Sequence, residues 1–228
     1  IFKFIDEKFK KDRKFILKAV KKFGYVLRFA DKSFRKDKEI AIEAVKNNTD
    51  IFKFIDEKFK KDRKFVLEVV KKNGTALQYA DKSLKKDKEI VIQAVKNYGS
   101  ALQYADKSFR KDRKIVLEAV KNSFHSSHIH PFAFADETFR KDRKIVLAAV
   151  KKDGSAITEV DETFRKDRKI VLEAVKSNPH ALQYLNETFK KDREIVLAAV
   201  RKDSDALSHA DESLKTDRGI LKIVNKKK

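Results

Sequence analysis

The chain has 228 residues, 41% hydrophobic and 40% charged, with a net charge of +21 and a pI near 9.9; apolar pairs recur between the charges, which excludes a disordered chain and leaves material for a core. Five glycines and two prolines are too few for a turn-rich β sandwich. The absence of cysteine excludes disulfides, thiolate metal sites and cysteine nucleophiles and fits a reducing, intracellular compartment, while no apolar run reaches the roughly 18 residues that cross a bilayer.

The opening fifteen residues, IFKFIDEKFKKDRKF, return unchanged at 51–65. The aspartate of a Lys-Asp-Arg or Lys-Asp-Lys triplet sets the frame: Asp12, Asp37, Asp62, Asp87, Asp112, Asp142, Asp167, Asp192 and, after Thr216, Asp217. The spacing is 25 residues throughout except for 30 between Asp112 and Asp142. The fifteen-residue identity therefore spans two periods and points to duplication of a two-repeat block.

Each period reads as two helical segments. The first is expected to open at Asp50, Thr75, Ser100, Ser155 and Asp205, with Pro131 just inside its own copy. The second is capped by the framing aspartate, as at Asp112. Its apolar residues, Ile115, Val116, Leu117, Ala119 and Val120, are too many for a one-sided helix, so neighbouring copies must cover it. Gly24, Gly74 and Gly154 follow these helices where a left-handed C-cap is expected. An irregular insertion near 121–131 gathers His125, His128 and His130 without completing a metal set, and a capping repeat is expected over 205–228, with Lys222 where other copies carry Glu or Ala. The sum is all-α: a single array over 1–228, an α-solenoid of about nine stacked two-helix repeats. With no methionine and a first residue inside the pattern, it is expected to belong to a longer array.

The pattern A-L-x-Y-A-D-x-x-[FL]-[RK]-x-D-R-x-I-V-L-x-A-V-K is clearest over Ala101–Val120 and Ala181–Val200. It resembles a family of tandem short helical repeats catalogued only as a domain of unknown function. Glu159 in the aromatic position, Asn186 in place of the first-segment aspartate and the insertion before Asp142 depart from it. The resemblance implies a repeat scaffold and assigns no catalytic residue.

The candidate site is the basic loop ahead of each second helix: Lys10, Lys11 and Arg13; Lys60, Lys61 and Arg63; Arg110, Lys111 and Arg113; Arg140, Lys141 and Arg143; Arg165, Lys166 and Arg168, each followed by a further lysine from Lys14 to Lys169. Stacking would line these cations along one edge. Cations at a helix N-terminus oppose its dipole, so something besides helix stability favours them there. One reading is a non-catalytic scaffold whose basic edge engages an acidic partner protein or assembly; the other is a nucleic-acid-binding solenoid contacting the phosphate backbone through the same stripe. Against both stands a ladder in which each arginine pairs with a neighbouring copy's aspartate, such as Asp81 or Asp106. The aromatic row Phe29, Phe54, Tyr79, Tyr104, Phe134 and Tyr184 reads as packing between copies, with base stacking as its rival. The variable position before each ring, Arg28, Lys53, Gln78, Gln103, Ala133, Thr158, Gln183 and Ser208, reads as exposed. No cofactor or metal is expected, and no enzymatic activity: glycine-rich phosphate loops, G-x-S-x-G and H-E-x-x-H are absent, and carboxylates that recur in every copy make no unique constellation.

Overall fold

The computed structural model describes residues 5–123 and 130–225, all of whose regular structure is helical; Phe4, His125, His128 and Lys226 to Lys228 lie outside the described residues. Two compact units part between Asn122 and Ser123. The first holds the long helices α1 (Arg13–Lys22), α2 (Lys38–Asn47), α3 (Arg63–Lys72), α4 (Lys88–Asn97) and α5 (Arg113–Lys121). The second holds α6 (Arg143–Lys152), α7 (Arg168–Ser177), α8 (Arg193–Lys202) and α9 (Arg218–Asn225).

Each long helix starts where the framing aspartate turns its side chain onto the first turn. Asp12 Oδ1 accepts the Phe15 N–H at 3.0 Å, Asp62 that of Phe65 at 3.1 Å, and Asp217 that of Ile220 at 2.8 Å. From there the apolar residues fall three, four, seven and eight places on. In α4 these are Ile90, Val91, Ala94 and Val95, all fully buried, and the same register holds in α3, α5, α6, α7 and α8. Such a stripe covers two adjacent faces, so a helix has to be packed from both sides. Within each unit, successive long helices pack directly against one another. Full burial of each Ile or Val contributes about 1.5–3 kcal/mol. Truncating one, as in Ile90→Ala, costs about 2–5 kcal/mol because neighbouring copies hold the cavity open.

The first of the two expected segments is broken in the structure. A short 3₁₀ stretch, for example Gly74–Tyr79 or Pro179–Tyr184, ends at an extended residue, and a separate helical turn such as Glu57–Lys61 or Glu187–Lys190 follows. The cause of the break is a second aspartate. Asp56 Oδ1 accepts from Lys58 N at 3.0 Å and Asp81 from Ser83 N at 2.9 Å, which starts a new helix at that point. The backbone N–H of the same residue reaches the preceding copy: Asp31 donates to Lys10 O at 3.0 Å, Asp81 to Lys60 O at 3.0 Å, Asp161 to Arg140 O at 3.1 Å. The kink therefore restarts the chain locally and fixes the spacing between copies.

The 3₁₀ caps also lie two residues earlier than their sequence signals indicated. Asn48, Asn73, Asp153, Asn178 and Asp203 accept the N–H of Asp50, Thr75, Ser155, His180 and Asp205. His130 caps its own segment through Nδ1, 3.1 Å from Phe132 N, with Pro131 following. The glycines differ too. Among the described residues no φ is positive; α1 to α4 and α6 to α8 end at extended residues with φ between −129° and −149°, while α5 ends at Asn122 with φ −104° and ψ 25°. Gly24, Gly74, Gly99 and Gly154 are buried against the backbone of the following copy, where a Cβ would lie closer than 3.0 Å to the carbonyl oxygen of Ala44, Ala94, Ala119 and Ala174. Close approach, not a left-handed cap, requires glycine here.

Candidate partner-binding edge

The long helices of a unit run parallel. Their N-termini meet through ion pairs. Arg13 lies 2.8 Å from both Asp37 and Glu39 of the next copy, Arg63 repeats the clamp on Asp87 and Glu89, and Arg168 on Asp192 and Glu194. Lys88 holds Asp112 at 2.8 Å, Arg143 holds Asp167, and Arg193 holds Asp217 at 3.1 Å. Hydrogen bonding from Arg63 keeps the Asp87 carboxyl below the usual carboxylate range, and Arg143, Arg168 and Arg193 act likewise on Asp167, Asp192 and Asp217. The ladder runs to the cap aspartates rather than to Asp81 or Asp106.

The remaining cations of the predicted site divide into two kinds. Lys10 and Lys60 bury their stems and bind Glu7 and Glu57 at 2.7 and 2.6 Å. At the same place Arg110 donates to Gln103 O at 2.9 Å, and Lys85 to Gln78 O at 2.7 Å, where burial pushes its ammonium down. Arg140 and Arg165 line a notch of about 490 Å³ beside Glu137, Asp161 and Glu162. Lys11, Lys61, Lys111 and Arg113 are exposed; Lys11 and Lys61 lie near enough to Asp31 and Asp81 to help lower those carboxyls, below the larger effect of Ser33 and Ser83. Lys141 is 4.0 Å from Asp161, and Lys166 is 2.7 Å from Glu162. Two places after the framing aspartate the sign alternates through the first unit: Lys14, Glu39, Lys64, Glu89, Lys114. Within each unit the predicted cations lie at one end of the long helices, where Arg13, Arg63, Arg143 and Arg168 hold the next copy and the lysines are interleaved with carboxylates.

The aromatic row is half-buried, apart from the exposed Tyr184. Tyr79 packs edge-on to Phe52 of the preceding copy, ring centroids 6.0 Å apart, and donates its hydroxyl to Asp50 at 2.8 Å. Arg28 lies 5.4 Å over the Phe54 ring. Tyr79 and Phe54 thus make contacts between copies, Phe29 packs on Tyr25 of its own copy at 5.6 Å, and the Tyr184 ring is exposed. At the variable position Arg28, Lys53, Thr158, Gln183 and Ser208 are exposed, whereas Gln78, Gln103 and Ala133 are half-buried.

Two features were not anticipated from the sequence. The C-terminal ends of the long helices carry their own cations, among them Lys21, Lys22, Lys71, Lys72, Lys96 and Lys121, all exposed; their only signal was the Lys-Lys or Lys-Asn that ends each helix. In the second unit His180 Nε2 lies 3.1 Å from Asp203 and its Nδ1 3.4 Å from His209, a contact made across 29 residues. Among the described residues no group of three or more His, Asp or Glu is placed to hold a metal ion, and no helix is long and apolar enough to cross a membrane.

No curated protein and no solved structure compared with the chain matches it. The sequence profile of the domain of unknown function DUF4116 matches in seven stretches, residues 1–35, 12–60, 37–85, 62–110, 87–131, 112–165 and 167–215, the first six overlapping in turn, that is, over almost the whole length. With its 25-residue period, paired aspartate caps and arginine ladder, the chain belongs to the DUF4116 family of tandem repeats.

Proposed function

We propose that this chain is a non-catalytic helical-repeat scaffold that binds an acidic partner protein or assembly. The observation that carries the reading is the charge left over once the ladder is formed. The first unit contains 34 Lys and Arg against 18 Asp and Glu, an excess of 16, whereas the second contains 22 against 17, an excess of 5. Self-repulsion of that size destabilises a compact unit, so a partner of opposite sign has electrostatic work to do there. The titratable groups recur from copy to copy, which supports a binding surface over a unique reactive centre.

The same excess favours a second reading, a solenoid that tracks the phosphate backbone of a nucleic acid. Three features weigh against it: the ladder arginines are engaged, the position after them alternates in sign through the first unit, and Tyr79 and Phe54 are taken up by contacts between copies. Fluorescence-anisotropy titration at rising salt distinguishes the two. An acidic polypeptide held at 150 mM salt, with oligonucleotide binding lost, is the expected result. Micromolar binding of random oligonucleotides at that salt, with a log–log slope reporting several phosphate contacts, would replace the first reading with the second.

A further inference from the structure

We propose that the acidic partner docks as an extended acidic segment on the C-terminal edge of the long helices in the first unit, opposite the Lys-Asp-Arg edge; this rests on the binding reading above. The C-termini of successive helices are side by side. Asn47 Nδ2 donates to Val20 O at 3.4 Å, Asn97 Nδ2 to Lys71 O and Lys72 O at 3.3 and 3.2 Å, and Asn97 Oδ1 accepts from Gly74 N at 2.7 Å. The last turns thus form one row, with a new layer about every 8–10 Å, and a ten-residue helix sets it about 15 Å from the other edge.

Asparagine is what keeps this row free. A helix C-terminus attracts cations to its unpaired carbonyls, but here the Asn47 side chain takes Val20 O and the Asn97 side chain takes Lys71 O and Lys72 O. Lys21, Lys22, Lys71, Lys72, Lys96 and Lys121 stay exposed, and none of them has a described ion pair. Lys46 alone is held, by Glu43 at 3.1 Å and Glu68 at 3.3 Å. The residues that end these helices are Phe23, Asn48, Asn73 and Tyr98, without a carboxylate among them; Asp50, a little further on, already accepts the Tyr79 hydroxyl.

The same edge of the second unit is balanced internally. Its helices end at Asp153, Asn178 and Asp203. Lys151 and Lys176 both lie within 3.6 Å of Glu173. Lys202, in the place of Asn97, donates to Lys176 O at 3.0 Å and to Ser177 O. The free cations are therefore a property of the first unit and not of the repeat.

The chemistry of the edge selects the ligand. The cations of its last helical turns are ammoniums on flexible stems, and the nearby guanidinium of Arg28 is engaged by the Tyr25 hydroxyl and stacked over the Tyr25 and Phe54 rings, so no fork is set for bidentate phosphate recognition. The exposed ring of Phe23, 71% accessible, stands beside Lys21 and Lys22 and offers contact to an apolar side chain, whereas the neighbouring Tyr25 ring has Arg28 5.5 Å over it. Lysine pairs recur every second layer, about 16–20 Å apart, which an extended chain covers in about five or six residues. An acidic polypeptide with carboxylates in that rhythm fits the row.

The test titrates the whole chain with a fluorescein-labelled twenty-residue poly-Glu peptide at 150 mM salt, and with a twenty-nucleotide oligo-dT as counter-probe. K21E/K22E/K71E/K72E should raise Kd for the peptide by about 30-fold or more, the sum of four modest surface contributions. K11E/K14E/K61E/K64E on the other edge and K151E/K152E in the second unit should each change it by less than about threefold. Replacing the first four lysines by alanine gives the same ranking without new charge, and circular dichroism confirms that each variant is folded. Equal losses from both edges would overturn the edge assignment and leave the binding reading intact. Failure of the wild-type chain to bind either probe would overturn both, and tighter binding of oligo-dT would overturn the acidic polypeptide as partner.

Discussion

Gly99→Ala separates two physical accounts of the glycines. Were they left-handed caps, alanine would be penalised for its backbone angle. The observed φ is not positive, so the backbone itself accepts alanine, and the loss of unfolded-state freedom alone would stabilise the protein by about 0.4–1 kcal/mol. The obstacle is the neighbouring copy. A Cβ at Gly99 would meet Ala119 O and would lie 2.9 Å from the carbonyl carbon and oxygen of Asn122, all backbone atoms that cannot rotate away. Relieving the overlap separates two copies at their closest point, where Gly99 N also donates to Asn122 O at 3.0 Å. Overpacking of this kind costs about 1–3 kcal/mol, which outweighs the entropic gain and leaves a net loss of about 1–2 kcal/mol. In a unit of this size that lowers the unfolding midpoint by about 3–8 °C. Thermal unfolding followed by circular dichroism measures it, with Ser204→Gly as the control, because Ser204 occupies the same register in the second unit and shows that a Cβ is accepted there. A G99A midpoint equal to or above that of the parent would refute the close-approach account.

Three further outcomes follow from the ion pairs and the buried phenol. Arg63→Ala should lower stability in urea unfolding only modestly, since the side chain is 48% exposed; a loss unchanged between 50 and 500 mM salt would show that packing, not charge, is responsible. Acid should destabilise the fold: carboxyls such as Asp87, Asp112, Asp167, Asp192 and Asp217 are lowered by their cationic partners, so their contribution is present above the unfolded value near 4 and is lost as pH falls through the still lower folded values. Stability that stays flat from pH 5 down to pH 2 would contradict it. Tyr79 is pushed up to about 12, first by burial and then by its hydrogen bond to Asp50; its share of stability is therefore present below about pH 10 and lost as pH rises through the folded value. Ultraviolet titration, with the Tyr79 signal identified by its loss in Tyr79→Phe, should show that phenol ionising late in the wild type and earlier in Asp50→Asn.

How much was legible depends on whether a feature lies within one copy or between two. The period and the caps from Asp12 to Asp217 are local patterns found where the sequence places them; of the five apolar positions expected to be covered, four are buried, as Ile115, Val116, Ala119 and Val120, and the fifth, Leu117, is half-buried. The break before Asp81 was missed because an aspartate inside an amphipathic run looks like a solvent-facing residue; its role appears only when its N–H is seen to reach Lys60 of the previous copy. The glycines were assigned to the wrong cause for the same reason, since the clash with Ala44 or Ala94 involves a residue twenty places away. The basic edge was visible as a cluster of cations, but the carboxylates that compensate it belong to the next copy, 24 or 26 residues further on. The lysines at the other edge were overlooked because basic residues in a last helical turn are what the dipole alone would favour; what marks them out is the asparagine that leaves them unengaged.

The duplicated opening stretch has a physical account in the ladder. Copies carrying Arg at the first helical position and Lys at the second, as Arg13-Lys14 and Arg63-Lys64, alternate with copies carrying Lys and Glu, as Lys38-Glu39 and Lys88-Glu89. An Arg copy followed by a Glu copy makes a clamp with two carboxylates, seen at Arg13 and Arg63. The reverse junction has one carboxylate: Lys38 to Asp62 at 3.9 Å and Lys88 to Asp112 at 2.8 Å. Copying a single period would set Arg13-Lys14 before a second Arg-Lys copy, lose the glutamate and place two lysines in adjacent layers. Copying two periods preserves the clamp and the junction that follows it. The alternation also governs the opposite edge, where Lys22 and Lys72 belong to the Arg copies and Asn47 and Asn97 to the Glu copies. The Glu copy thus supplies both the second carboxylate of the clamp and the asparagine that frees its neighbour's lysines, which makes the fifty-residue pair, rather than the single repeat, the smallest unit that carries both the ladder and the proposed docking row.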